Sequence, residues 1–329
     1  MTRHRRRQAT TAAFAAASLL TGLAACAESP QAPTPGASPA TVVVTSTNVW
    51  ASVVKAVGGD HVEVRPILAD PAADPHGYEA KPADAVAFDG AKLAVSNGGG
   101  YDDFFTGLAD AAGGDLKRVV AVEAAEGHEE AEAAPAQPAT TTTAPTEDEH
   151  GHEHGENEHV WYDLEAVHAV AEQVSTELSA IDPAHAEAFK ANTAKFGEGI
   201  DALVEKAAAI GAAKPGAKVV ATEPVAAYLL ETAGLTDVTP PDFAEAVEEE
   251  SEPSAAARAA TEKLITDKQV AAVVFNDQTA TPVTEAVKAT AERSGVPVVA
   301  MTETLPDGAT GYLEWMTTQV DSLAAALAK

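Results

Sequence analysis

The feature that most constrains this fold is the arrangement of its apolar segments, because short strands alternate with helix-patterned segments in two separate series. The strand-like segments are 41–46, 62–67, 93–96 and 119–122 in the first series, and 218–222, 270–275 and 296–300 in the second. Strands that alternate with helices predict a mainly parallel sheet covered by helices on both faces. We therefore expect an α/β protein with two lobes and a cleft between them, where ligands commonly bind.

A long helical stripe separates the two series. Apolar residues recur at steps of three and four from Phe189 to Ile210, and Asp182-Pro183 ahead of them is typical of a helix start. The predicted helix covers residues 183–213, which corresponds to about 45 Å at 1.5 Å per residue. Gly197 and Gly199 lower the helix propensity inside it. A helix of this length can connect the two lobes.

The N-terminus has the features of a secretion signal. An arginine cluster precedes a short apolar run at 10–23, which is too short to span a bilayer as a mature helix. The run leads into Leu23-Ala24-Ala25-Cys26, which resembles the lipobox of bacterial lipoproteins, where the cysteine is acylated. Cys26 is the only cysteine, so an internal disulfide is excluded. We expect an extracytoplasmic protein that a lipid on Cys26 anchors to the cell membrane.

Changes in residue composition along the chain give the predicted domain boundaries. A stretch rich in Pro, Ala and Ser follows Cys26 and is predicted to be a flexible tether. The predicted boundaries are a signal peptide at 1–25, the tether at 26–40, an N-terminal lobe at 41–182, the linking helix at 183–213 and a C-terminal lobe at 214–329.

Residues 123–158 interrupt the N-terminal lobe with a segment that has almost nothing to bury. Its Pro, Ala, Thr, Glu and His content predicts a disordered surface loop. His150, His152 and His154 lie among acidic residues, and short His-rich tracts bind metal. We expect accessory metal binding by these three histidines, with a disordered acidic spacer as the alternative.

The formal net charge of −29 narrows the choice of partners. Nucleic acid is excluded as a partner, because phosphate binding needs clustered Lys and Arg. An acidic surface raises the local concentration of cations. The alternative is an acidic surface that only keeps the protein soluble.

Four potential metal ligands lie at the ends of predicted strands or helices, two in each half of the chain. They are His76 in Asp74-Pro75-His76-Gly77-Tyr78-Glu79, His159 in Glu158-His159-Val160-Trp161, Glu223 after the strand 218–222, and Asp277 after the strand 270–275. Imidazole and carboxylate groups together bind Zn²⁺ or Mn²⁺. Taken singly, each of these residues is also compatible with an ordinary polar loop.

Together these motifs resemble the solute-binding lipoproteins of zinc and manganese ABC importers, the cluster A-I receptors. The resemblance covers the chain from about Thr41. It implies that His76 is the first ligand, that His159 in a His-x-Trp motif is the second, and that Glu223 is the third. The fourth is usually an acid after a later strand, and Asp277 is the best match. The segment 275–279 departs from the usual pattern, so Asn276 or a water molecule are the alternatives.

The resemblance also implies a fold and a function. The expected fold is two Rossmann-like α/β lobes joined by a long rigid helix, with the metal site in the cleft. The expected function is to capture Zn²⁺ as a monomer and to deliver it to an ABC permease that a cytoplasmic ATPase drives. Zinc is favoured because of the His-rich loop, with a manganese or iron receptor of the same type as the alternative. With ordinary histidine pKa values, metal affinity should fall below about pH 6.

Two other classes of function are alternatives to a metal receptor. A zinc hydrolase with Glu223 as general base would need an open metal position and a substrate pocket. The sequence contains neither a His-Glu-x-x-His nor a Gly-x-Ser-x-Gly motif, and it has no Walker-type loop, so we expect no enzyme activity. A metal-buffering adhesin is the second alternative.

Overall fold

The computed structural model describes residues 40–71, 73, 75–126 and 157–328. The predicted signal peptide, Cys26, nearly all of the predicted tether, and His150, His152 and His154 lie outside these residues. Within them, no helix is both long enough and apolar enough to cross a membrane.

Two four-stranded sheets, with all neighbouring strands parallel, form the centres of two lobes. The first sheet has the order β2-β1-β3-β4 and the second has the order β6-β5-β7-β8. The strands are β1 Thr41–Thr47, β2 Val62–Leu68, β3 Leu93–Ser96, β4 Lys117–Val120, β5 Lys218–Ala221, β6 Thr236–Asp237, β7 Ala272–Asn276 and β8 Val298–Met301. The inner strands are buried runs of Val and Ala, as expected for parallel sheets covered on both faces.

Helices connect the strands and cover the sheets. They are α1 Asn48–Gly58, α2 Asp103–Ala112, α3 Leu164–Ile181, α4 Ala186–Ala213, α5 Ala227–Thr232, α6 Pro241–Glu248, α7 Ala255–Thr266, α8 Pro282–Ser294 and α9 Tyr312–Leu327. Residues 121–126 are also helical. The prediction of an α/β fold with two lobes and one long linking helix is confirmed.

The strand order places the loops that can bind a ligand. In each sheet the chain reverses its direction of winding next to the first strand, between β1 and β3 and between β5 and β7. Ligands of open α/β sheets bind at the carboxyl ends of the strands beside such a switch point. Glu223 lies two residues after the end of β5, and Asn276 is the last residue of β7.

The linking helix α4 packs against α1, α3 and α9. Its two central glycines provide room for these neighbours. A β-carbon at Gly197 would lie 2.6 Å from Nε2 of His168, and one at Gly199 would lie 2.5 Å from Cδ1 of Leu313. The glycines that weakened the helix prediction therefore permit the close packing of α4.

The apolar core is continuous from one lobe to the other. One buried cluster contains Trp50 and Val95 of the first lobe, Phe196 of α4, and Val219 and Trp315 of the second lobe. Moving the lobes apart would expose this apolar surface to water, which costs free energy in proportion to the area exposed.

The structure differs from the predicted pattern at several element boundaries. Strand β4 begins at Lys117 instead of Val119, and the short strand β6 was not predicted. The linking helix begins at Ala186, after a single 3₁₀ turn at Pro183–His185. Within the predicted disordered loop 123–158, residues 123–126 are helical, and Asn157 and Glu158 contact the rest of the protein. The remainder, 127–156, lies outside the described residues.

Candidate metal site

His159 is fixed in one orientation by its neighbours. Its backbone NH and its Nδ1 both contact Oδ1 of Asn157, at 3.1 and 2.6 Å. Nδ2 of Asn157 donates to the carbonyl of Pro224, which identifies Oδ1 as the oxygen that accepts from His159. Nδ1 of His159 therefore carries the proton, and Nε2 keeps its lone pair.

Nε2 of His159 is buried and has no hydrogen-bond partner among the described residues. The whole residue is 0% exposed. Buried polar atoms are nearly always paired, so an orphan of this kind needs an explanation. An imidazole whose second nitrogen donates to a protein oxygen is the usual arrangement of a metal ligand.

His76 reaches the same place from the loop that follows β2. Its ring centroid lies 6.2 Å from that of His159 and 5.0 Å from that of Tyr101. Nδ1 of His76 lies 3.3 Å from Oε1 of Glu158, and Nε2 lies 3.6 Å from Oε2 of Glu303. The structure therefore brings the two predicted histidines together.

Two buried carboxylates of the second lobe share one amide. Nδ2 of Asn276 donates to Oε2 of Glu223 at 2.5 Å and to Oε1 of Glu303 at 2.7 Å. The hydroxyl of Thr279 contacts both oxygens of Glu223, and the hydroxyl of Tyr101 donates to Oε2 of Glu303 at 3.1 Å. These contacts hold the two carboxylates beside one another, and Glu303 also lies next to His76.

Two further carboxylates lie closer to solvent. Glu158 is held through its backbone, because Nδ2 of Asn97 donates to its carbonyl at 2.8 Å. Glu248 is the last residue of α6, and its Oε1 lies 3.6 Å from Nε2 of His159. His76, Glu158, His159 and Glu248 each offer one ligand atom, and these four atoms lie within 4.8 Å of one another. A cavity of about 610 Å³ opens beside them and is lined by His76, Glu223, Glu248 and Glu303.

A comparison of the sequence with known families identifies the family of this chain. Residues 43–326 match the family described as ZnuA, zinc-uptake complex component A, periplasmic. The chain belongs to this family. ZnuA-family proteins are extracytoplasmic metal-binding receptors of metal ABC importers, as the sequence motifs predicted.

Solved structures confirm the fold of this ZnuA-family protein. The periplasmic zinc-binding protein TroA from Treponema pallidum has a TM-score of 0.67 and 20% identity, covering 88% of this chain and 100% of its own. An Mn-bound periplasmic metal-binding protein from Candidatus Liberibacter asiaticus has a TM-score of 0.66 and 18% identity, and the match covers 87% of this chain and 99% of the other. The solute-binding protein FpvC from P. aeruginosa, in complex with Ni²⁺, has a TM-score of 0.65 and 20% identity, covering 88% and 97%. Proteins of this fold were thus solved with different metals.

The pKa values of the two histidines shift in opposite directions. Burial lowers the pKa of His159 to about 4, so its imidazole is neutral at physiological pH. Burial also lowers the pKa of His76, but the hydrogen bond to Glu303 and the charges of Glu303, Glu158 and Glu248 outweigh it and raise this pKa to about 9. In the metal-free protein, His76 is therefore the cation that balances the carboxylates.

The pKa values of the carboxylates also shift in different directions. Burial raises the pKa of Glu223 to about 7 and that of Glu248 to about 8, and the neighbouring carboxylates add to the rise. Burial alone would also raise the pKa of Glu303, but the hydrogen bonds from His76 and Asn276 and the charge of His76 bring it below its ordinary value. At neutral pH the metal-free site therefore holds protons that a divalent cation would displace.

Asp277 does not join the other predicted ligands. Its side chain is 58% exposed, and its Oδ1 lies 3.7 Å from Nζ of Lys288. Its backbone NH bonds to the carbonyl of Met301 and so extends the ladder of β7. Because side chains alternate between the faces of a strand, the inward position of Asn276 turns Asp277 away from the cleft.

Sequence reasoning missed Glu303, Glu158 and Glu248 as members of this site. Glu303 follows β8 by two residues, and the rule that ligands gather at the carboxyl ends of parallel strands could have identified it. Glu158 was assigned to the predicted disordered loop. Glu248 lies in a run of acidic residues, 248–250, in which no sequence signal marks one residue.

Proposed function

We propose that this protein captures Zn²⁺ in the cleft between its lobes and hands it to the permease of an ABC importer. The observation that carries the proposal is the buried, unpartnered Nε2 of His159, which faces His76 and a group of carboxylates. This orientation of a lone pair toward other potential ligands is typical of a metal site.

The proposed ligands are His76 and His159 from the first lobe and Glu223 and Glu303 from the second. Zn²⁺ commonly takes four ligands in a tetrahedron, with bonds of about 2.0–2.2 Å to imidazole nitrogen and carboxylate oxygen. Two neutral imidazoles and two carboxylates would balance the charge of the ion. Asp277 is left out of this set, because it is exposed and paired with Lys288.

Manganese is the second candidate, and one observation favours it. Four carboxylates, those of Glu158, Glu223, Glu248 and Glu303, surround the two histidines, and an oxygen-rich environment suits Mn²⁺. Zinc is preferred because it generally binds a given nitrogen and oxygen site more tightly than Mn²⁺, and because of the His-rich segment at 150–154.

Competitive titration of the purified protein with Zn²⁺ and Mn²⁺ tests this proposal. We expect one tight Zn²⁺ site, and we expect His159→Ala to weaken it by about 100-fold or more, since even indirect supports of a ligand are worth 10–100-fold. His168→Gln is the matched control, because His168 lies on α3 beside Gly197 and outside the site. Full retention of tight binding in His159→Ala would refute the site, and a clear preference for Mn²⁺ would reassign the metal.

The cellular role follows from the lipobox and from the family. We propose that a lipid on Cys26 anchors the protein, as a monomer, near the permease, and that the cytoplasmic ATPase drives transport. Deletion of the gene should impair growth under zinc chelation, and zinc should restore it. A protein that only buffers metal would be largely dispensable in that experiment.

We propose accessory, weaker metal binding for the segment that contains His150, His152 and His154. Deleting residues 127–156 should remove weak sites and preserve the tight one, as isothermal titration can show. The deletion should stop before Asn157, because that side chain orients His159. Loss of the tight site in this deletion variant would place the main site in the segment.

A further inference from the structure

The site contains more carboxylates than one tetrahedral ion needs, and they form two layers. Glu223 is 6% exposed and the side chain of Glu303 is 1% exposed, and both are held by Asn276. The side chains of Glu158 and Glu248 are 19% and 26% exposed. His76 lies between the layers, since it contacts Glu158 through one nitrogen and Glu303 through the other.

The outer layer consists of Glu158 and Glu248. Together with His76 and His159 it has the geometry of a second set of metal ligands. One atom each from His76, Glu158, His159 and Glu248 fits within 4.8 Å, and Nε2 of His159, which has no other partner in the described part of the chain, faces Glu248 at 3.6 Å. Ligand atoms of a tetrahedral zinc ion are about 3.4 Å apart when the bonds are about 2.1 Å. The separation between His159 and Glu248 is close to that value.

We infer that Glu158 and Glu248, with the two histidines, form an outer site that binds the incoming metal ion first and then passes it to Glu223 and Glu303. This inference rests on the proposed function, because it assumes that the inner set, which is the two histidines with Glu223 and Glu303, is the final binding site of the ion. Nε2 of His159 belongs to both sets and holds the ion throughout the exchange. The carboxylates replace one another, and His76 presents its other ring nitrogen, as the ion moves inward.

The two layers differ in how readily they can move. The inner carboxylates are tied to Asn276, Thr279 and Tyr101. Glu248 ends a short helix and lies beside the open cavity, and its side chain accepts no hydrogen bond from a protein donor among the described contacts. The nearest group is the unprotonated Nε2 of His159, at 3.6 Å. A flexible, half-exposed carboxylate can meet a hydrated ion and exchange its water molecules one by one, which a buried and bonded carboxylate cannot do.

Rapid-mixing kinetics of Zn²⁺ with the full protein test the inference, with a fluorescent zinc chelator as competitor. Glu248→Gln should slow association by about tenfold, within the range by which charged clefts alter on-rates. It should also slow dissociation, because the ion leaves by the same route. Glu249→Gln is the matched control, since it makes the same substitution at the adjacent, exposed residue, and it should change neither rate appreciably. The measurements should be repeated at high salt, which screens general steering by the acidic surface.

Each other outcome overturns the inference. Faster dissociation in Glu248→Gln would make Glu248 a ligand of the final site. If Glu249→Gln slowed association as much as Glu248→Gln does, and if high salt abolished both effects, the effects would come from general electrostatic attraction and not from an outer site. Unchanged rates in Glu248→Gln would make it a bystander. The proposed function is tested separately, because Glu303→Gln should weaken equilibrium binding, and its failure to do so would reject the inner set whatever Glu248→Gln does to the rates.

Discussion

At the scale of single residues, Asn276 organises the second half of the site. Its amide donates to both Glu223 and Glu303, and its Oδ1 accepts from the backbone NH of Gln278. Without these donors, two buried carboxylates would repel one another and turn away from the histidines. The residue therefore orients ligands without being one of the proposed ligands.

Replacing Asn276 should weaken metal binding without removing the site. We expect Asn276→Ala to reduce Zn²⁺ affinity by about 10–100-fold, as is usual for residues that orient ligands. Asp277→Asn is the control, because it alters the adjacent residue, which is exposed and paired with Lys288. Competitive chelator titrations would compare the two. A large loss in Asp277→Asn, with none in Asn276→Ala, would restore Asp277 as a ligand.

The protonation of His76 and the carboxylates predicts the pH dependence of binding. Bound metal needs neutral imidazole and ionised carboxylate. In the metal-free protein the pKa values of His76, Glu248 and Glu223 are raised to about 9, 8 and 7, so these groups carry protons at and below those pH values. Affinity should therefore rise with pH between about 6 and 9, a higher window than ordinary histidine pKa values suggest.

Calorimetry in two buffers with different ionisation enthalpies measures this proton release. At pH 7 the apparent binding enthalpy should depend on the buffer, with at least one proton released per metal ion. The dependence should be smaller at pH 9. An enthalpy that is independent of the buffer at pH 7 would show that His76 is already neutral.

The contrast between Asn276 and Asp277 shows what the sequence could and could not reveal about the site. Strand ends predicted that polar side chains would meet at the cleft, and His76, His159 and Glu223 do lie around it. Which of two adjacent residues points inward depends on the strand register, and one residue of shift reverses the face. Glu158 lies in an irregular segment, where no periodicity gives a direction, and Glu248 is the last residue of a short helix, within a run of three acidic residues.

At the scale of elements, the strands and long helices could be predicted because apolar periodicity determines them. Their ends and the two-residue strand β6 depend on tertiary hydrogen bonds, which the sequence does not display. The glycines of α4 illustrate the same limit. Helix propensity counts them as unfavourable, whereas the packing of neighbouring elements requires them.

Two Gly→Ala substitutions distinguish the effect of helix propensity on stability from the effect of packing. A β-carbon at Gly211 of α4 would lie 2.5 Å from the backbone oxygen of Ala233, which cannot move without shifting the chain. We expect Gly211→Ala to lower the free energy of unfolding by about 1–3 kcal/mol, as overpacking does. Gly107 of α2 has nothing within 4 Å of the added atom, so Gly107→Ala should raise it by about 0.5–1 kcal/mol.

Urea denaturation of the metal-free protein measures both variants. Opposite signs are the expected result, because both changes improve helix propensity equally and only Gly211 has a backbone neighbour in the way. Stabilisation by Gly211→Ala would mean that α4 and the turn at Ala233 can move apart at little cost.

At the scale of the whole molecule, the lobes are joined by more than the linking helix. Gln278 of the second lobe donates to the carbonyl of Ala73 at 2.9 Å, and Nδ2 of Asn48 donates to the carbonyl of Leu305 at 3.0 Å. The hydroxyl of Tyr228 donates to the carbonyl of Asn157 at 2.8 Å. Together with the shared apolar core, these bonds oppose a wide opening of the cleft.

Metal binding should therefore change the shape of the protein very little. Opening the lobes would expose the shared core around Phe196 and break the bonds of Gln278 and Asn48, and one bound ion would have to offset both costs. Small-angle X-ray scattering of the metal-free and Zn²⁺-loaded protein should give superimposable curves, while thermal stability rises with ligand concentration. The deletion variant lacking 127–156 is the better sample, because it removes the long internal segment that lies outside the described residues. A clear decrease in the radius of gyration on loading would show instead that the cleft closes as a hinge, and the side-chain bonds between the lobes would then form only in the loaded state.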